Sequence, residues 1–282
     1  MTVSINCQVE FLELVTSISQ YSESIEKNLG NKSEVTGWCS TCNRVTNMKV
    51  TLGEPEGEWR NLLEGMVCEC GLNGRARLVI SILDEILLDH NFKNTAVLEH
   101  LTPLYPELKK RLPGLIGSEY LGDEVLAGCS IEKNGIPVRS ESMMSLSYDN
   151  ETLDLIMHFD VLEHIPDWRK GLEECYRVLK KEGIMMFTCP FYDNLETNIV
   201  RAQVEGDAIK HLLPEAYHGN PVSEDGSLVF IHPSWEVYNF IKSIGFDKVS
   251  LAVNYDPVQG IVSNGCPFPD GHMWPVVFVA KK

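Results

Sequence analysis

The sequence has no uninterrupted apolar run of the ~18–20 residues that a membrane-spanning helix requires, which argues against a transmembrane protein. Its first ten residues have no basic start leading into an apolar stretch, so a secretory signal is not expected and the compartment is read as cytoplasmic. Positive charge is scarce. Lys and Arg number 24 against 40 Asp and Glu, a formal net charge of -16 that repels phosphate backbones and disfavours a nucleic-acid partner. Internal repeats and low-complexity tracts are absent too. What remains is a chain of 282 residues, 44% hydrophobic and 23% charged, a globular composition with length for one large α/β domain and an appendage.

Phe11, Leu14, Val15, Ile18 and Ile25 recur at helical spacing among glutamates, which predicts an amphipathic helix over the first ~25 residues. From Trp38 to Arg77 the apolar period fades, and four cysteines stand in its place. Helical spacing returns at Leu78, Val79, Ile82, Leu83, Ile86 and Leu87. Beyond the polar break at Asn91–Asn94, short apolar runs alternate with helical segments. These runs are Ala96–Leu98, Leu115–Ile116, Leu153–Phe159, Ile184–Cys189, Val249–Val253 and Val276–Ala280. That alternation predicts a largely parallel sheet covered by helices. The expected division is an N-terminal segment over 1–90 and an α/β domain over 91–282. Residues 190–233 lack a strand period and are too long for an ordinary connection, so they are read as an inserted lid.

Cys39-Ser-Thr-Cys42 and Cys68-Glu-Cys70 offer four thiolates as two close pairs, the ligand set of a tetrahedral structural zinc. Gly71 suits the turn beneath such a knuckle. The alternative is four buried free thiols. Between Gly37 and Arg77 five basic residues balance five acidic ones, so this segment does not resemble a phosphate-binding surface.

The stretch from Leu153 to Asp167, LDLIMHFDVLEHIPD, reads as a buried strand running into a loop, with Pro166 opening a helix. A helix follows with Leu172, Cys175, Tyr176, Val178 and Leu179 on one face, stopping at Lys180-Lys181-Glu182-Gly183. Asp154 to Pro190 resembles the class I S-adenosylmethionine-dependent methyltransferases, type 11-like, and a looser likeness runs from Thr95 to the C-terminus. The cysteine-bearing front end is similar to a subset of these enzymes with an N-terminal zinc-binding segment. The resemblance implies a doubly wound, seven-stranded, mostly parallel Rossmann-like sheet with S-adenosylmethionine over the C-terminal edges of its first strands.

Carried over residue by residue, the resemblance sets Glu99 at the end of the first strand, beside the methionine end of the cofactor, and Glu119 at the ribose hydroxyls. Glu141, Ser142 and Met143 fall where the family contacts adenine; Ser142 stands where an acidic residue is usual, and Met143 is equally compatible with the core. Phe159 and Asp160 close the fourth strand near the methionine end and the acceptor, followed by Glu163 and His164, which could equally serve to orient the loop. The chain departs from the family in one respect. The usual Glu-x-Gly-x-Gly turn reads Glu99-His100-Leu101-Thr102-Pro103-Leu104 here, with no glycine before Gly114. Either a reshaped loop, with Thr102 and main-chain amides, holds the cofactor, or binding is weakened or lost.

Methyl transfer to a hydroxyl needs an aligned acceptor and somewhere for its proton to go. The insert supplies His211 and His218 beside turn-forming residues, with Arg201 and Tyr192 as further polar contacts; His218, His211 and Asp160 are the catalytic candidates, His218 as the base. The expected function is methyl transfer to a small-molecule or glycan-like hydroxyl. Two alternatives stay open: a protein or RNA methyltransferase, and a non-catalytic zinc-containing module that has lost the cofactor.

Overall fold

The structure is a computed structural model that describes residues 2–51, 61–206, 208–266 and 271–282. Trp59, in the cysteine segment, lies outside the described residues. Two compact units divide the chain, one of residues 1–91 with 250–277, the other of residues 92–249 with 278–282.

In the first unit the helix Gln8–Gly30 buries Phe11, Val15 and Leu29 along one stripe, as its spacing predicts. The same face buries Glu26, whose carboxylate accepts hydrogen bonds from the Ser263 amide and hydroxyl and from the Tyr255 hydroxyl. The stretch without a helical period folds as a three-stranded antiparallel sheet of Glu34–Cys39, Arg44–Val50 and Met66–Cys68. Its core is apolar as well as cysteine-bearing: Met48, Val50, Leu62 and Met66 pack with Cys39 and Cys68. The helix Gly74–Asp89 starts at Asn73, whose side chain accepts from the Ala76 amide.

Within the second unit the strands follow the order Val276–Lys281, Leu179–Thr188, Leu153–Phe159, Thr95–Val97, Ile116–Glu119, Ile136–Ser140, Ser130–Lys133. Five central strands run parallel, from Leu179–Thr188 to Ile136–Ser140. Val276–Lys281 and Ser130–Lys133 pair antiparallel on either side of them. This is the Rossmann-like α/β architecture. Strand order reverses between Thr95–Val97 and Leu153–Phe159, and ligands of open α/β sheets gather at such a crevice, outside the strand C-termini.

Three expectations change in detail. Pro166 does not open a helix; a 3₁₀ turn spans Leu162–His164, and the next helix, Trp168–Val178, is capped by the Asp167 side chain. That helix ends before the Lys-Lys-Glu-Gly run, which belongs to the strand Leu179–Thr188 with a register shift between Leu179 and Ile184. The insert is made of short hairpins: Ile199–Val200 with Ile231–His232, Ala202–Glu205 with Ala208–His211, and Tyr217–Asn220 with Ser223–Leu228. Most residues in these strands are exposed on both faces, so no alternation marks them.

Candidate active site and cysteine centre

Glu99 follows the first parallel strand and Glu119 ends the second, so both carboxylates sit beside the crevice. Glu99 is buried, and one of its oxygens accepts the Thr102 hydroxyl. Glu119 Oε1 accepts the amides of His100 and Leu101, at 2.8 and 2.9 Å. One oxygen of the predicted ribose carboxylate therefore pins the glycine-free turn. Burial raises the Glu119 carboxyl above its ordinary value, against the pull of those two amides. His100 stacks near Tyr105 at 4.4 Å, and burial with the Lys109 charge lowers its titration.

Glu141, Ser142 and Met143 follow the third parallel strand. The Glu141 carboxylate is fully committed to the Arg139 guanidinium and to the amide and hydroxyl of Ser147. Ser142 bridges to Ser145. Met143 is buried, its side chain 3.2 Å from where a Cβ on Gly171 would lie.

Phe159 is buried at the end of the fourth strand. Asp160 then turns the chain with φ 51°, a left-handed conformation that aspartate tolerates better than most residues. Thr188 fixes it twice: its carbonyl accepts the Asp160 amide, and its hydroxyl donates to Oδ1 at 2.8 Å.

Beyond Asp160 the structure brings together residues 55 positions apart. Glu163 is fully buried, and its carboxylate lies 3.5 Å from His164 Nε2 and 3.4 Å from His218 Nδ1. The two histidine rings meet edge to face at 4.9 Å. The hairpin carrying His218 is tied to this loop by the Phe230 amide on the Glu163 carbonyl and by the Leu228 carbonyl on His164 Nδ1, both 2.8 Å. His211 pairs with Glu215 at 3.4 Å on the exposed side of the insert. Arg201 donates to His232 Nε2 at 2.8 Å, and Tyr192 stacks edge to face on His232. Cys189 is no nucleophile here: burial, with the nearby Glu163 and Asp160 charges, holds its thiol far above its ordinary value.

The four cysteines converge in the first unit. Sγ atoms of Cys39 and Cys70 are 4.0 Å apart, those of Cys42 and Cys68 3.8 Å, and the Cys42 amide points at Cys39 Sγ. Zinc with sulfur at about 2.3 Å has tetrahedral edges of about 3.8 Å, so the spacing fits the ion. Each pair is followed by a left-handed residue, Asn43 at φ 52° and Gly71 at φ 85°, which curls the chain under the sulfurs. Burial pushes the Cys42 thiol up to about 11. At Cys68 the same cost is outweighed by hydrogen bonds from Cys70, Cys39 and Thr46, leaving it lowered to about 7. Sequence reasoning missed Arg77. Its guanidinium is fully buried and bonded only to the carbonyls of Leu72, Met66, Gln259 and Gly260. Among the described residues no carboxylate pairs with it, and the four cysteines are its electrostatic partners.

Residues 121–187 match the family model described as a methyltransferase domain. That stretch, about a quarter of the chain, is similar to a methyltransferase domain. The match begins just past Glu119 and so leaves out the glycine-free turn. No curated protein matches the sequence. Similar solved structures include an S-adenosylmethionine-dependent methyltransferase from Clostridium acetobutylicum, 12% identical with TM-score 0.45, covering 74% of this chain and 92% of that one. Another is a possible histamine N-methyltransferase from Thermotoga maritima, 14% identical, TM-score 0.41, covering 73% and 89%. A third, from Burkholderia thailandensis, is a 1,6-didemethyltoxoflavin-N1-methyltransferase with S-adenosylhomocysteine bound, 13% identical, TM-score 0.41, covering 74% and 78%.

Proposed function

We propose that the second unit binds S-adenosylmethionine at the strand-order reversal and transfers its methyl group to a small-molecule or glycan-like hydroxyl, and that the first unit is held by one structural zinc. The observation that carries the cofactor reading is Glu119. Its Oε1 anchors the reshaped turn while Oε2 receives no hydrogen bond among the described residues, leaving an acceptor for a diol at the second strand's tip. Glu99 and Asp160 flank the same crevice from the first and fourth strands, beside the methionine end. Thr102 is occupied with Glu99, so the turn's contribution is its main chain. The adenine end falls to Ser142 and Met143, since Glu141 is committed elsewhere. The bound cofactor supplies a methyl carbon whose bond to sulfur breaks as the acceptor oxygen attacks, the electron pair staying on sulfur. His218, half-exposed beside Glu163, is the residue proposed to meet the acceptor hydroxyl, which its exposure supports. The acidic net charge favours a small or sugar acceptor over nucleic acid.

For zinc, the supporting observation is Arg77. A wholly buried cation needs opposite charge, which four neutral thiols do not supply and a tetrathiolate zinc, at formal charge minus two, does.

Calorimetry with S-adenosylhomocysteine tests the cofactor reading. Binding should be measurable for the native chain and weakened at least about tenfold, some 1.4 kcal/mol, by Glu119→Ala. Absence of heat at saturating ligand would leave only a non-catalytic module.

A further inference from the structure

We propose that Glu163, His164 and His218 form a divalent-cation site at the mouth of the active site, taking a first-row metal such as manganese, cobalt or zinc. Three observations converge on it. First, Glu163 is completely buried, and among the described residues neither carboxylate oxygen has a hydrogen-bond partner. A buried carboxylate without donors is costly unless a cation compensates it.

Second, the tautomer of His164 is fixed. A carbonyl can only accept, so the 2.8 Å contact with Leu228 places hydrogen on Nδ1. The neutral ring therefore aims the Nε2 lone pair at the Glu163 carboxylate, two acceptors face to face. Nδ1–H on a backbone carbonyl with Nε2 turned inward is the outer contact that orients a metal-ligating histidine.

Third, the spacing is that of a coordination shell. Glu163 stands 3.5 Å from His164 Nε2 and 3.4 Å from His218 Nδ1, and one ligand atom from each of the three residues lies within 4.8 Å of the others. These separations are long for hydrogen bonds. They match the tetrahedral edge of about 3.4 Å expected for a metal bound to nitrogen and oxygen at about 2.1 Å.

Two imidazoles and a carboxylate are borderline-soft ligands suited to these metals and unlike the four sulfurs of the first unit. Three protein ligands leave a coordination position open, and His218, whose side chain is 44% exposed, sets the solvent side on which it lies. An acceptor hydroxyl bound there would lose its proton to water more readily, its oxygen held by the cation. In that case His218 holds the cation instead of taking the proton itself. This last role rests on the proposed methyl transfer; the cation site does not.

The test is a Mn²⁺ titration of the full chain, followed by the disappearance of the free Mn²⁺ signal in electron paramagnetic resonance. Manganese avoids thiolate sites, so the cysteine centre does not compete. The native protein should bind one Mn²⁺, and Glu163→Gln and His164→Gln should each weaken binding more than about 100-fold, since even outer contacts to such sites contribute 10–100-fold. His218→Gln, on an exposed hairpin, guards against loss of fold in the other two. S-adenosylhomocysteine calorimetry on every variant reports whether the domain is intact. Lost Mn²⁺ binding with retained S-adenosylhomocysteine binding establishes the site. No Mn²⁺ binding at millimolar concentration, or equal binding by native protein and His218→Gln, overturns it in favour of an ion pair with protonated histidine. If S-adenosylhomocysteine fails to bind the native chain, the methyltransferase reading fails while the Mn²⁺ result still decides the cation site.

Discussion

His158 lies next to the end of the strand Leu153–Phe159, wholly buried and stacked on Phe187 at 4.5 Å, and among the described residues neither ring nitrogen has a hydrogen-bond partner. Burial alone lowers its pKa to about 3. The folded chain therefore keeps this ring neutral while the unfolded chain takes up a proton below pH ~6.5. Its contribution is complete above that pH and is lost as pH falls toward 3, at up to about 1.4 kcal/mol per pH unit. Replacing His158 by Leu should remove that loss, so urea unfolding at pH 7 and pH 5 should show the variant gaining about 1–2 kcal/mol on the native protein between the two. An identical pH loss in both proteins would show that His158 is hydrated or protonated in place. The sequence marks the strand around His158 by its apolar run, and it marks Asp160 and Glu163 by their motif. It does not tell which polar residues are sealed in. The chain that bonds to the Glu163 carbonyl and the His164 ring, at Phe230 and Leu228, comes back more than sixty residues later.

At the scale of elements, legibility follows strand burial. Leu153–Phe159 and the second half of Leu179–Thr188 are buried on both faces, so their composition gives them away. The hairpins of the insert are short and mostly exposed, and there pairing, not burial, defines the strand. Within the insert Gly226 has a specific duty. It sits at φ 78°, and a Cβ there would lie 2.7 Å from the His218 carbonyl oxygen. Gly226→Ala should cost about 1–3 kcal/mol from the left-handed backbone alone, and the clash should push His218 away from Glu163. Urea unfolding reads the first effect. Mn²⁺ affinity reads the second, with S-adenosylhomocysteine binding unchanged because no cofactor contact lies on this hairpin. Unaltered Mn²⁺ affinity in a variant of lowered stability would mean that the hairpin does not set the position of His218.

For the whole molecule, the division of the chain matters more than its length. Residues 250–277 belong to the unit that begins at the N-terminus. Two buried charges of that unit depend on them: Glu26 on Ser263, Arg77 on the carbonyls of Gln259 and Gly260. Removing one partner from a buried charge costs about 3–5 kcal/mol, a large fraction of the stability of a unit this size. Metal analysis of the full chain should give one zinc. A chain cut after Val249 keeps Cys39, Cys42, Cys68 and Cys70 yet should lose that zinc to a mild chelator much faster. Equal retention by both would show that the cysteine segment folds without the returning strand. Nothing in the sequence pattern near Arg77 points to this dependence, because its partners are main-chain carbonyls that any residue could supply.

The separation of 182 residues between Arg77 and Gln259 also sets an order of events at the ribosome. The cysteine pairs are translated well before the clasp that closes around their neighbour. Until then the nascent segment carries an unanswered guanidinium and exposed thiols, and a chaperone or a waiting metal ion would act in that interval.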